Sequence, residues 1–402
     1  MIKLLELEGS IIMNFDTVIN RRGTNSSKWD KMEKLYGVSN KTGISMWVAD
    51  MDFNPPSCIQ EALKKYTDHA VYGYYGDDRA YREAICWWQK NRHDWSIDPH
   101  WIFSTHGLVN GTALCIDAFT NPNEGVVLFT PIYHSFFKIL KASNRPVTQC
   151  PLQLENGRYK LNFNLYDKLM TGQEKLLVLC SPHNPSGRVW QLNELREIID
   201  FAKRHSLIII SDEIHQDIVL PGYKHTPLAL VDSEIEDRLI MMNAPTKTFN
   251  IAGSHNGNVI IPNSDLRDIF QNRMLALGMS PNSFGMIMTQ AGYCPEGAAW
   301  VDTLISYLDE NRRLFEEAIN CLPGISAMPL EATYLSWVDF TGTGLSKDGI
   351  LNRVYRDAQI AANDGDTFGL GGTGHLRFNL ATQRSNVNEA IERLSKSFSD
   401  LH

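Results

Sequence analysis

Residues 238–253 read RLIMMNAPTKTFNIAG. The run from Leu239 to Met242 is short, continuously apolar and free of period-two alternation, the pattern of a strand buried on both faces of a sheet. Lys247 follows five residues later, and no other side chain between Leu239 and Gly253 is charged. An ammonium delivered off the end of a buried strand either snorkels to solvent or is held for chemistry.

Outward from this stretch the pattern repeats. GVVLF (125–129), KLLVLC (175–180) and LIII (207–210) are equally continuous apolar runs. Amphipathic segments lie between them, such as LNELREIIDFAKRH (192–205), where Leu195, Ile198, Ile199 and Ala202 form one stripe. Strand and helix in alternation predict an α/β fold with a mostly parallel sheet between helices. Beyond the helical stretch 300–322, the glycine-flanked strands TYLSWVDF (333–340) and HLRFNLA (375–381) predict a smaller α+β domain. The expected division is an N-terminal segment, 1–55, packing with the small domain, a large domain over 56–298, and the small domain over 299–402.

Composition narrows the function classes. At 402 residues with 43% apolar and 21% charged side chains, the chain is long enough for two cores. A net charge of −8 with no clustered basic patch argues against nucleic acid or an anionic membrane as a partner. Seven cysteines occur without C-x-x-C or paired zinc spacing, so they read as reduced thiols of a cytoplasmic protein, with no metal site expected. No apolar run approaches eighteen residues, which predicts no membrane span, and residues 1–12 read as an appendage ahead of Met13.

Polar groups follow the ends of the apolar runs, where open α/β sheets bind ligands. SPHNPSGRVW (181–190) brings Asn184, SDEIHQD (211–217) brings Asp212 and His215, and APTK brings Lys247. Each has an ordinary reading alone: a turn amide, a helix cap, a solvent-seeking lysine. Together an acid, an amide and a lysine on one sheet edge suit a cationic aromatic cofactor bound covalently to lysine. Pyridoxal phosphate requires this set: an amine for its Schiff base, a carboxylate facing the pyridine nitrogen and a partner for its phenolic oxygen.

With these residues the chain resembles the fold-type I pyridoxal-phosphate enzymes, the aminotransferase class I/II superfamily, and within it the cystathionine β-lyase (MalY-like) C-S lyase branch. The matching segments are WVADMDFNPP (47–56), YGYYG (72–76), PIYHSFF (131–137), SPHNPSGRVW, SDEIHQD, APTKTFNIAG, EATYLSWVDF (331–340) and GHLRFNLA (374–381). The resemblance implies Lys247 as the Schiff-base lysine and general base, and Asp212 as the partner of the pyridine nitrogen. It implies Asn184 at the phenolic oxygen, assisted by His215, and Tyr133 stacked on the ring. Arg377 would hold the substrate α-carboxylate, beside Asn184. For the phosphate it implies backbone N–H groups of Gly107, Leu108 and Val109 at a helix start, the Thr246 hydroxyl, and Tyr74 reaching from a neighbouring subunit, with Tyr72 the weaker candidate. A homodimer with shared active sites and a small amino-acid substrate follow from that set.

The implied reaction is β-elimination from a cysteine conjugate, giving thiol, pyruvate and ammonia. His215 and His255 stand where many aminotransferases carry tyrosine and arginine, which leans toward the lyases. THGLVNG (105–111), with His106 and Asn110, and SHNGN (254–258) depart from the lyase pattern. They read either as a retuned substrate pocket or as solvent-facing loops, and they keep an aminotransferase, a replacement enzyme or a regulatory cofactor-binding protein as alternatives. GLGGTG (369–374) lacks the strand before and helix after that a dinucleotide loop requires, and reads as a glycine-rich approach to the substrate.

Overall fold

A computed structural model describes residues 14–401; the appendage expected at 1–12 lies outside the described residues. Seven strands form the main sheet: β1 Ile102–Thr105, β2 Gly125–Thr130, β3 Val147–Pro151, β4 Glu174–Cys180, β5 Ile208–Asp212, β6 Leu239–Asn243 and β7 Gly257–Ile260. Their order is β1-β7-β6-β5-β4-β2-β3. Neighbours from β3 to β6 pair in parallel, and β7 alone runs antiparallel to both β6 and β1. All four apolar runs of the sequence are therefore adjacent central strands.

Burial explains why these runs do not alternate. Leu239 and Met241 enter the core on one face of the sheet, while Ile240 and Met242 enter the core on the other. Each residue of β6 is almost fully removed from water, and a buried aliphatic side chain contributes roughly 1.5–3 kcal/mol. The helix Leu192–Arg204 turns Leu195, Ile198, Ile199 and Ala202 into the core as its stripe requires, and a capping box between Gln191 and Glu194 fixes its start.

A second sheet holds β8 Ser326–Ala327, β9 Leu335–Asp339, β10 Asn363–Asp364 and β11 His375–Asn379, in the order β8-β9-β11-β10, all antiparallel. The helices Pro295–Ile319 and Arg384–Ser397 pack on one another in the same region. The N-terminal residues join it, because Ile44–Ser45 pairs in parallel with Ile360–Ala361. GLGGTG follows a 3-10 turn and leads into β11 rather than into a helix. It packs over the β2 exit: Ile132 N–H donates to Phe368 O at 2.8 Å, and a Cβ at Gly369 would lie 2.5 Å from the Phe137 ring.

Candidate active site

The carboxyl ends of β1, β2, β4, β5 and β6 lie on one edge of the sheet, and each exit carries a residue singled out from the sequence. After β6, Pro245–Thr248 forms a single helical turn with Pro245 in a first-turn position, where a missing N–H costs nothing. Asn250 closes the segment with a left-handed φ of 56°. Lys247 is half-buried, and its Nζ donates to Ala49 O at 2.6 Å. Burial pulls its ammonium down to about 8; Arg377 acts in the same direction, against Asp50 and Asp212. Part of the lysine is thus a neutral amine near neutral pH.

Asp212 ends β5 and is buried, and its Oδ1 accepts the Ile214 N–H at 3.1 Å. Burial pushes its carboxyl up to about 7, helped by Glu213 and opposed by the Ile214 N–H and Lys247. A buried carboxylate held by one backbone donor is poorly compensated, and a cationic N–H placed against it would relieve that cost. His215 is buried with Nδ1 unpartnered; burial, Lys247 and Arg377 hold its imidazole down to about 3, so it is neutral. Its ring lies edge-on to Tyr334, with centroids 5.9 Å apart.

Arg377 comes from β11 and is buried. Its Nη1 donates to Asn184 Oδ1 at 2.8 Å, and its Nη2 donates to Trp47 O at 3.0 Å and Asn363 Oδ1 at 2.6 Å. The guanidinium lies 5.1 Å from the Phe368 ring centroid, and Nε is buried without a partner. A guanidinium only donates, so this contact fixes the Asn184 amide: the oxygen faces Arg377 and Nδ2 is left as a donor. That is the orientation a phenolate oxygen needs.

Tyr133 follows β2, half-buried and edge-on to Phe136 at 5.6 Å, close enough to Arg377 to interact electrostatically. Gly107 precedes the helix Leu108–Phe119 with φ 86° and ψ 164°. Nothing lies within 4 Å of where its Cβ would be, so the left-handed φ is what selects glycine. No side chain caps this helix, and the first-turn N–H groups of Leu108 and Val109 sit at its positive end. Thr112, one turn further along, donates to Met242 Sδ at 3.6 Å and sets the helix beside the β6 exit that carries the buried Thr246. Tyr74 is 101% exposed and touches none of these residues, whereas Tyr72 stacks on Phe284 with centroids 5.7 Å apart.

Two further participants, residues 47–53 and Asp217, lie in the matched segments WVADMDFNPP and SDEIHQD but carry no role in the sequence reading. Residues 47–53 cross the site outside any helix or strand, and each of the seven carbonyls accepts a hydrogen bond from a side chain. Trp47 O takes Arg377, Ala49 O takes Lys247 and Tyr334, Val48 O and Asp50 O take Asn379, Met51 O and Phe53 O take Asn250, and Asp52 O takes Gln383. Asp217, the last residue of SDEIHQD, accepts Thr248 Oγ1 at 2.7 Å, Trp88 Nε1 at 2.9 Å and His93 Nε2 at 2.7 Å, tying two exits together.

The polar departures divide between the surface and the interior. Asn256 and Asn258 are fully buried, so they are not solvent-facing loop residues. Asn258 Nδ2 donates to Asn243 at 2.9 Å and Asn258 Oδ1 accepts from Tyr81 at 2.5 Å, while Asn256 bonds Ser104 and Thr289. The network braces β7 against β6 and β1 on the face opposite Asp212. His255 is exposed, and His106 is exposed with Nε2 3.0 Å from Ser280 O.

The donor set fits pyridoxal phosphate: a lysine amine of lowered basicity, an undercompensated buried carboxylate, an amide forced to donate and an uncapped helix start behind a positive-φ glycine. A mostly parallel sheet presenting that set at its carboxyl edge, with an arginine brought in from a small antiparallel sheet, is the fold-type I architecture. The chain belongs to the aminotransferase class I and II family, whose model matches residues 42–394. Cystathionine beta-lyase PatB of Bacillus subtilis (strain 168) is 36% identical over 390 residues, covering 96% of this chain and 100% of that protein. Among solved structures, cystalysin from Treponema denticola, which contains pyridoxal 5'-phosphate, superposes with a TM-score of 0.92 at 37% identity over 97% of this chain and 100% of its own. The PLP-bound C-S lyase from Staphylococcus hominis gives 0.89 at 28% identity over 96% and 99%. Among the described residues, no helix is long and apolar enough to cross a membrane and no His/Cys/Asp/Glu group is placed to hold a metal.

Proposed function

We propose that this chain is a pyridoxal-phosphate-dependent carbon-sulfur β-lyase that cleaves a cysteine conjugate of the cystathionine type to thiol, pyruvate and ammonia. The observation that carries the cofactor and amino-acid part of the reading is the Arg377–Asn184 hydrogen bond at 2.8 Å on the sheet edge that also bears Lys247 and Asp212. It couples a carboxylate-binding group to an amide whose remaining donor faces the cofactor's place. The choice of a carbon-sulfur lyase rests on the likeness to PatB and cystalysin.

Bound pyridoxal phosphate supplies the electron sink for a carbanion at the substrate α-carbon. Lys247 would hold the cofactor and would be the group that takes the α-proton at Nζ; its burial, which lowers the basicity of the amine, suits that work at neutral pH. Asp212 would keep a proton on the pyridine nitrogen, with the neutral His215 near it, Asn184 would donate to the phenolic oxygen, and the Tyr133 ring would cover the cofactor. Arg377 binds the substrate α-carboxylate with the N–H groups not spent on Asn184, Trp47 and Asn363. Gly107, Leu108, Val109 and Thr246 hold the phosphate. The full exposure of Tyr74 suits a residue that completes the phosphate site of a second copy, and we place the enzyme in the cytoplasm as a homodimer.

The test supplies the holoenzyme with cystathionine, cysteine, or alanine plus a keto acid, and measures thiol, pyruvate and amino-group transfer separately. Thiol and pyruvate in equal amounts without an acceptor are expected. Transfer that depends on the acceptor, with no thiol released, sinks the lyase reading in favour of an aminotransferase.

A further inference from the structure

Among the described residues, Arg377 is a buried cation whose hydrogen-bond acceptors are all neutral: the amide oxygens of Asn184 and Asn363 and the main-chain oxygen of Trp47. Burial pulls its guanidinium down to about 10, opposed by Tyr133, Tyr36, Tyr334 and Cys180. A charge that is hydrogen-bonded but not neutralised in a dry setting is costly, and an arriving anion relieves that cost.

The Asn363 contact is set by the small sheet. Asn363 stands directly opposite Arg377 in the antiparallel β10–β11 pair, so the two side chains leave the same face as neighbours. Its Oδ1 accepts Arg377 Nη2 at 2.6 Å, and its Nδ2 donates to Tyr36 Oη at 3.1 Å. A guanidinium only donates, so the amide has one possible orientation. Tyr36 is held in turn: its ring lies edge-on to Trp47, with centroids 5.3 Å apart, and to Tyr355 at 5.2 Å. Tyr355 Oη donates to Ala362 O, one residue before Asn363, at 2.9 Å. Burial pushes the Tyr36 phenol up to about 12, against Arg377 and the Asn363 bond, so this neighbour is neutral as well.

Resting on the reading of Arg377 as the carboxylate-binding group, we propose that Asn363 is a specificity-determining residue: it positions the guanidinium through a neutral oxygen, leaving the charge for the substrate carboxylate, and Tyr36 holds it in that orientation. With both Nη2 N–H groups spent on Asn363 and Trp47, the guanidinium plane is fixed. An aspartate at 363 would have the same shape and keep the bond to Arg377, and the Tyr36 hydroxyl could turn to donate to its second oxygen. It would also neutralise Arg377 in place, so an incoming carboxylate would meet a completed ion pair. The contact sets the geometry, and its neutrality selects an amino acid over the corresponding amine or amide.

The holoenzyme is titrated by calorimetry with methylthiopropionate, a carboxylate that has no amine to react, and with its primary amide. The wild type should prefer the carboxylate. Asn363→Asp should weaken the carboxylate by roughly 30-fold or more and leave the amide unchanged, since only the charged ligand loses its desolvated partner. That variant should unfold in urea no earlier than the wild type, because its bond to Arg377 is kept. Asn363→Ala, smaller but uncharged, should still prefer the carboxylate. The proposal is overturned by an Asn363→Asp variant that binds the carboxylate as the wild type does while Arg377→Gln does not, or that loses carboxylate and amide alike. Carboxylate binding untouched in Arg377→Gln would instead remove the reading of Arg377 itself, and the role of Asn363 with it.

Discussion

The lowered basicity of Lys247 has a consequence measurable before any substrate is added. Only the neutral amine condenses with an aldehyde. With the ammonium at about 8 rather than 10.5, the neutral fraction at pH 7.5 is roughly one quarter instead of about one in a thousand, a gain of roughly two hundredfold. Removing the cofactor and adding pyridoxal phosphate back across pH 6–10 should give a covalent-adduct rate that rises with a midpoint near 8 and then levels. Absorbance reports the rate, and borohydride trapping followed by peptide mapping reports the lysine. Arg377→Gln should move the midpoint upward, because the guanidinium is one of the groups that depress the amine. A midpoint near 10.5 would refute the burial argument, and an unchanged adduct in Lys247→Ala would remove the lysine from its role altogether.

Three further perturbations follow from single contacts. Arg377→Lys replaces a planar fork by a point charge, and kcat/KM for a cysteine conjugate should fall by roughly 30–1,000-fold, about 2–4 kcal/mol of lost carboxylate binding, measured by steady-state thiol release. Asp217→Ala leaves the Trp88, His93 and Thr248 donors without their acceptor and should cost about 3–5 kcal/mol in urea unfolding. The Asp217 carboxyl is held below its ordinary value, with the His93 hydrogen bond the largest of the influences that outweigh burial. Its stabilisation is therefore complete above about pH 4 and lost as pH falls through the lower folded value, a loss the variant should not show. Asn379→Ala removes one donor each from Val48 O and Asp50 O, which keep the Asp50 N–H and Lys28 Nζ, and should lower stability by about 1–3 kcal/mol while raising hydrogen exchange across residues 47–53.

The central strands were legible because burial on both faces forces a continuous apolar run, which no amphipathic helix displays. Lys247, Asp212 and Asn184 stood out for a related reason: they follow within five residues of the ends of such runs, where open α/β sheets bind ligands. The outer strands were not. Val147–Pro151 carries Thr148 and Gln149, and Gly257–Ile260 opens on a glycine and an asparagine, so neither reads as apolar. Asn256 and Asn258 look like loop or pocket residues in isolation because their partners, Tyr81, Ser104, Asn243 and Thr289, are distant in sequence. Asp217 sits inside a quoted motif, yet its bond to Thr248 is a relation between two exits that neither segment reveals alone.

The 47–53 segment explains how the two parts of the site are held in register. It has no strand partner, and of its carbonyls only Val48 O takes a backbone N–H, that of Asp50, so the others depend on side chains, since an unpaired buried carbonyl is costly. Asn250 beside Lys247 and Asn379 beside Arg377 satisfy four of them, and Lys247 and Arg377 themselves bond two more, Ala49 O and Trp47 O. Below it, Asp52 accepts Arg21 at 2.8 Å, Lys28 at 2.8 Å and Trp29 Nε1 at 2.8 Å, anchoring the segment from the N-terminal side. The lysine of the large sheet and the arginine of the small one are thus two residues apart along a single backbone. Ala49 O has a second donor besides Lys247, the Tyr334 hydroxyl 3.1 Å away. Drawing Lys247 toward a cofactor would therefore orphan no acceptor of the segment, and the Arg377 bond to Trp47 O does not depend on the lysine.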